Sequence, residues 1–224
     1  MKDITTCYKH IIWDWNGTLL DDAWLCVEIM NSMLQERSLG RLTLHRYQRL
    51  FDFPVIDYYR RLGFDFSKES FQKIGTEFIK HYEKRQNELV LNEGVRDTLE
   101  KIKLLGLSQS ILSASSEAVL QEVTTRLGLR NYFIKVVGLE NHYAFGKIEK
   151  GKAWMKELQK SPDEVLLIGD TAHDFEVSKE LNIIIKSDVH GSSEALKSAI
   201  NQIKHEEVKP KIILSDIGMV TETD

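Results

Sequence analysis

The sequence predicts an α/β fold built on a parallel sheet, with a helical segment inserted early in the chain. Three observations carry this expectation. From Gly94 onward, short apolar runs alternate with amphipathic helical stretches, the pattern of strands joined by right-handed crossovers. An apolar strand near the start, Lys9 to Trp15, carries a carboxylate and runs at once into a Gly-Thr turn. Between these regions, from Asp21 to about Glu93, apolar residues recur at helical spacing and strand alternation is absent.

Taken in order, the first strand ends on Trp13-Asp14-Trp15-Asn16-Gly17-Thr18. Trp24, Val27, Ile29, Met30, Met33 and Leu34 then mark a helix, followed by helical sets around Tyr47 to Phe51, Tyr58 to Leu62 and Phe71 to Tyr82. Asp52-Phe53-Pro54 and Gly63-Phe64-Asp65 supply the turn chemistry between them. Next come a helix over Val95 to Leu105, a strand over Ser108 to Leu112 and a helix over Glu117 to Leu127. A strand over Ile134 to Val137, a helix over Lys150 to Gln159 and a strand over Glu164 to Ile168 complete the series. Ligands of parallel sheets bind at the carboxyl ends of strands, so Asp14, Ser113 and Asp170 are expected along one edge although far apart in sequence.

With 224 residues, 42% of them hydrophobic and 29% charged, the chain can bury one well-packed domain and a smaller accessory one. A formal net charge of -4 argues against binding to nucleic acid driven by bulk charge. Cys7 and Cys26 have no metal-ligand spacing, which suits a reducing compartment. No apolar run reaches the roughly 18 residues of a membrane span, and the first residues lack the apolar core of a signal peptide. A cytoplasmic protein without a membrane partner is the expectation; oligomeric state is left open.

The run Asp14-Trp15-Asn16-Gly17-Thr18-Leu19, with Ser113, Lys147 and Ile168-Gly169-Asp170-Thr171-Ala172-His173-Asp174 after it, resembles the motif series of the haloacid dehalogenase (HAD) superfamily. The resemblance covers about residues 8 to 180 and is closest to the phosphoglycolate phosphatase-like branch. It implies a HAD-like Rossmannoid sheet with an inserted helical cap: residues 1–20 and 94–180 as core, 21–93 as cap. It further implies a Mg²⁺-dependent phosphatase acting on a small phosphorylated metabolite. Asp14 would be the nucleophile, forming an aspartyl-phosphate that divides one hard hydrolysis into two easier steps. Ser113, Ala114 and Thr18 would grip the phosphate, helped by amides of the following helix. The metal would take Asp14, the backbone carbonyl of Asn16 and Asp170, with Asp174 as a further or water-mediated ligand, an oxygen set that Mg²⁺ prefers.

For the cation that offsets phosphoryl charge, Lys147, Lys150 and Lys152 compete. Lys147 is preferred because Gly146-Lys147 immediately precedes a helix. Trp13 is expected in the core, Trp15 as lining for the cavity, and His173 as a polar orienter or an exposed residue.

One residue departs from the pattern. The resembling phosphatases carry a second acid two positions after the nucleophile, where this chain has Asn16. An amide neither protonates a leaving alcohol nor deprotonates a water, and such groups contribute on the order of 10² to 10⁴-fold. Weakened turnover is expected, unless a residue of the cap such as His45 supplies the proton transfer or the Asn16-Gly17 pair deamidates. A non-catalytic protein that binds phosphate esters, or regulates through its tail, is the rival reading.

From Leu181 to Asp224 the pattern changes. Leu181-Asn182-Ile183-Ile184-Ile185-Lys186-Ser187-Asp188-Val189-His190-Gly191 and Ile217-Gly218-Met219-Val220 resemble a fragment of bacterial translation initiation factor two. The factor's GTP-binding loop has no counterpart in the sequence. Residues 181–224 read as strand (Ile183 to Lys186), helix (Ser193 to Ile203) and strand (Lys211 to Leu214). Such a unit has too little core to stand alone, and its two strands are expected to pack with the core by extending or replacing the last strands of the core sheet.

Overall fold

The computed structural model of the chain describes residues 7–140 and 146–187. Its centre is a five-stranded, wholly parallel sheet: β1 (His10–Trp13), β4 (Ser108–Ser116), β5 (Lys135–Leu139), β6 (Val165–Gly169) and β7 (Ile184–Ser187), in the order β5-β4-β1-β6-β7. Every residue of β1 and β6 is buried, as expected of strands covered on both faces. Alternation along the strands divides the core in two. Ile11, Trp13, Ile111 and Leu166 face one side, while Ile12, Leu112, Val165 and Leu167 face the other.

The first side is covered by α5 (Val95–Leu104) and α6 (Glu117–Arg126), through Leu99, Ile102, Leu120 and Val123. The second is covered by α7 (Lys147–Leu158) and α8 (Ala172–Leu181), through Trp154, Val177 and Leu181. The molecule is therefore a three-layer sandwich with β1, which Asp14 follows, in the middle of its sheet.

The helical insertion leaves the core through β2 (Leu20–Asp21) and returns through β3 (Val90–Leu91). These two short strands pair antiparallel, Leu20 with Leu91 and Asp21 with Val90. Between them lie α1 (Ala23–Glu36), α2 (Leu44–Leu50), α3 (Val55–Leu62) and α4 (Phe71–Arg85). Arg37 clamps this unit, bonding Glu69 at 2.8 Å and Glu77 at 2.6 Å.

Several boundaries differ from the sequence expectation for identifiable reasons. β1 stops at Trp13 because Asp14 and Trp15 turn out of the ladder, although the Asp14 amide still donates to the Ile168 carbonyl at 2.8 Å. β4 continues past Leu112 to Ser116 through an irregularity between those residues, so Ser113 lies within the strand rather than at its end. α7 starts at Lys147 rather than Lys150. Trp15, expected in the cavity, is 2% exposed and packs in the core. An aromatic side chain after an apolar strand carries no sequence sign of which way the turn will point it.

β7 belongs to the segment set apart as 181–224, yet it is the fifth strand of the sheet, paired with β6 from Leu166↔Ile184 to Gly169↔Ser187. The helix expected over Ser193 to Ile203 and the strand over Lys211 to Leu214 lie outside the described residues.

Candidate active site

Three acidic residues converge at the carboxyl ends of β1 and β6. Asp14 follows β1, Asp170 follows β6, and Asp174 lies in the first turn of α8. One carboxylate oxygen from each lies within 4.8 Å of the others. Asp14 is 6% exposed, and Asp174 is fully buried.

Of the three lysines, Lys147 is the one that reaches the acidic cluster. It is 2% exposed, and its Nζ donates to Asp14 Oδ1 and Asp174 Oδ1, each at 2.5 Å. Lys150 instead pairs with Glu140, and Lys152 with Glu180. Lys147 opens α7, so its long side chain reaches the strand ends from the first turn of a covering helix.

The charge balance within this cluster is uneven. Burial pushes the Asp14 carboxyl up to about 7, and Asp174 adds to the rise, while Lys147 opposes it. Burial drives Asp170 well above the ordinary carboxylate range, and repulsion from Asp14 and Asp174 adds to it; a hydrogen bond from Thr18 only partly compensates. Burial alone would raise Asp174, but Lys147 and the Thr171 hydroxyl and amide hold it below its usual value. Burial also works against the Lys147 ammonium, and its two carboxylate partners more than restore it.

Two glycines let these groups approach. Gly17 has φ +75°, and a Cβ there would lie 2.3 Å from Asp170 Oδ2. At Gly169 a Cβ would lie 2.5 Å from Asp174 Cγ. Asp174 is fixed by its own helix start, its Oδ2 accepting from the Thr171 amide at 3.1 Å and hydroxyl at 2.6 Å.

Thr18, expected to grip substrate, is buried and donates its hydroxyl to Asp170 Oδ1 at 3.0 Å. It is placed to orient Asp170. Ser113 is buried in β4, where its Oγ accepts from the Ser115 amide at 3.1 Å; Ala114 between them is half-buried.

Asn16 is held on both ends of its amide. Its Oδ1 accepts from the Ser115 hydroxyl at 2.5 Å, and its Nδ2 donates to Asp22 Oδ2 at 2.7 Å and Tyr82 Oη at 3.0 Å. His45 is exposed on α2; the site's hydrogen bonds reach the insertion through Tyr82 of α4 instead. His173 is not exposed, and its Nδ1 lies 3.6 Å from Glu176 Oε2. Its ring lies 4.6 Å from Phe53 of the insertion, tilted 32°, and burial followed by the nearby Lys147 lowers its pKa.

Sequence reasoning missed Asp22, Tyr82 and Asn92. Asn92 Nδ2 donates to the carbonyls of Gly17 at 3.1 Å and Thr18 at 2.9 Å, pinning the turn after Asp14 from the far end of the insertion. Tyr82 and Asn92 carry no local signal, since they act on residues 60 or more positions away, whereas Asp22 lies within six positions of its partners Asn16 and Gly17.

Comparison with known proteins identifies the framework. The profile of the haloacid dehalogenase-like hydrolase family matches residues 11–186. The chain belongs to that family. A haloacid dehalogenase-like family protein from Streptococcus pneumoniae superposes with a TM-score of 0.69 at 18% identity, over 86% of this chain and 91% of that one. A predicted phosphoglycolate phosphatase from Haemophilus somnus gives 0.64 at 17% identity, over 80% and 84%. At these identities the likeness shows shared fold. The translation-initiation factor 2 profile matches residues 157–224, overlapping the hydrolase match through β6, α8 and β7. Initiation factor IF-2 of Pelagibacter ubique is 76% identical over 55 residues, 25% of this chain, and the chain spans 8% of that factor's length.

The three carboxylates fit a hard divalent cation. Their donors are all oxygen, and Asp170 takes a hydrogen bond from the Thr18 hydroxyl. A cation there would relieve the repulsion that raises Asp14 and Asp170.

Proposed function

We propose that this protein is a Mg²⁺-dependent phosphomonoester hydrolase, acting on a small phosphorylated metabolite of the phosphoglycolate type through an aspartyl-phosphate at Asp14. The observation that carries the reading is the buried contact of Lys147 with Asp14 and Asp174, with Asp170 beside them. In the first step an Asp14 oxygen bonds to phosphorus as the ester P–O bond breaks, and the departing alkoxide takes a proton from solvent water. In the second, water bonds to phosphorus, the Asp14–phosphorus link breaks and the water's proton leaves. Lys147 helps keep Asp14 ionised for attack and faces the charge on the phosphoryl oxygens. Asp14, the Asn16 carbonyl and Asp170 would hold Mg²⁺, with Asp174 behind them. When bound, the ion offsets phosphoryl charge as a Lewis acid. Ser113 and the amide of Ala114 would grip the phosphate, while Thr18 holds Asp170 in place.

A second reading is favoured by Asn16. With an amide in place of an acid, the same site binds phosphate esters with slow turnover, and good leaving groups suffer least because they need no proton. We read the helices between β2 and β3 as the cap that selects substrate, and the segment homologous to the initiation factor as part of the core rather than a ribosome-binding module. A cytoplasmic setting fits this chemistry.

The test is phosphate release from para-nitrophenyl phosphate with and without Mg²⁺. Release that needs Mg²⁺ and vanishes in Asp14→Asn is the expected result. Tight binding of phosphate esters with no release at any Mg²⁺ concentration would establish the second reading instead.

A further inference from the structure

Around Asn16 the structure builds more than a substitution. Asp22, on the turn that opens α1, is 4% exposed. Its Oδ1 accepts from the Gly17 amide at 3.0 Å, and its Oδ2 accepts from Asn16 Nδ2 at 2.7 Å and from the Tyr82 hydroxyl at 2.8 Å. A carboxylate takes only donors, so it dictates which end of the Asn16 amide faces it. The amide's carbonyl end is thereby turned to Ser115, whose hydroxyl donates to it at 2.5 Å. Tyr82 comes from α4, so the insertion itself closes this clamp.

We propose that Asp22 is a positioning residue for the reaction at Asp14: with Tyr82 it locks the Asn16 amide so that position 16 presents a hydrogen-bond acceptor on its Ser115 side. The inference rests on the phosphatase reading above. An acceptor held there orients the O–H of an attacking water or departing alcohol without removing its proton. The arrangement also means that an acid cannot simply be returned to position 16. In Asn16→Asp the donor that Asp22 Oδ2 takes at 2.7 Å is replaced by an oxygen, so that two acceptors face each other in a buried site. The exchange Asn16→Asp with Asp22→Asn keeps the total charge and reverses the direction of the bond between the two side chains.

The experiment compares unmodified protein, Asn16→Asp, Asp22→Asn and the exchanged double variant. Thermal unfolding is measured without substrate, and kcat and KM with para-nitrophenyl phosphate and Mg²⁺. Asn16→Asp alone should melt lower by about 3 to 8 °C at neutral pH, and the exchange should recover most of that loss. Asp22→Asn alone frees the amide to flip and should lower kcat by about tenfold with KM unchanged. The exchange should raise kcat over the unmodified protein by on the order of 10²-fold, because an acid then stands at position 16 without a second carboxylate beside it. An Asn16→Asp variant as stable and as active as the exchange would overturn the proposal. So would equal changes in KM and kcat for Asp22→Asn, since loss of simple structure moves both. If melting shows the coupling but all four proteins are silent, the phosphatase reading fails and takes the positioning role with it. If unmodified protein turns over and melting is additive, the positioning role alone fails.

Discussion

Gly17 and Lys147 are the residues on which the acidic cluster depends most directly. A methyl at Gly17 would strain a backbone at φ +75° and press on Asp170 at 2.3 Å. Gly17→Ala should therefore destabilise the protein by about 1 to 3 kcal/mol, and should abolish stabilisation by Mg²⁺ in a thermal shift. Lys147→Met leaves Asp14 and Asp174 buried without their shared cation. Removing one partner of a buried ion pair costs about 3 to 5 kcal/mol; the urea midpoint at neutral pH checks the loss, and phosphate release should fall with it. The deamidation route open to an Asn-Gly pair is opposed here, because the attacking Gly17 nitrogen donates to Asp22 and both ends of the Asn16 amide are held.

At the scale of elements, β1, β4 and α7 are joined by a buried polar chain beneath the site. Trp154 Nε1 donates to Ser110 Oγ at 3.0 Å, which leaves the Ser110 hydrogen for His10 Nε2 at 2.7 Å. Ser108 donates to the Lys9 carbonyl, so it accepts from His10 Nδ1 at 2.7 Å. His10 is thus a neutral imidazole with both nitrogens used. Burial, with a smaller push from Lys160, lowers its pKa from 6.5 to about 4. The unfolded chain therefore binds a proton in that window that the folded protein refuses, so stability falls as pH drops from 6.5 towards 4. The loss from this group is at most about 3 kcal/mol. In His10→Asn the difference in urea midpoint between neutral and acidic buffer should shrink; an unchanged slope would remove His10 from the account. Strand alternation and burial were readable in these elements, whereas the cross-strand partners of His10 were not. Periodicity reports which face a residue occupies, never which neighbour it meets.

For the whole molecule, the informative feature is that the sheet does not end where the hydrolase motifs end. β7 pairs with β6 across four residues, and Ile183 before it is buried. Truncation after Leu181 strips β6 of its outer partner, and should lower the melting temperature by roughly 5 to 10 °C or drive aggregation through the open edge. Light scattering during the melt separates those two outcomes. The alternation of strands and helices, the helical insertion and the carboxylates at the strand ends were all legible in the sequence. Each is written in local spacing and in residue types that carboxylate chemistry requires. The tertiary structure alone put the Lys147 ammonium between Asp14 and Asp174, sent Trp15 into the core and joined Asn16 to Asp22 and Tyr82. Those outcomes depend on pairs as distant as Asp14 and Lys147, 133 positions apart, or Asp22 and Tyr82, 60 apart. Hydrogen-bond direction and burial are properties of such pairs, and they exist only once the sheet and the insertion have brought the two ends together.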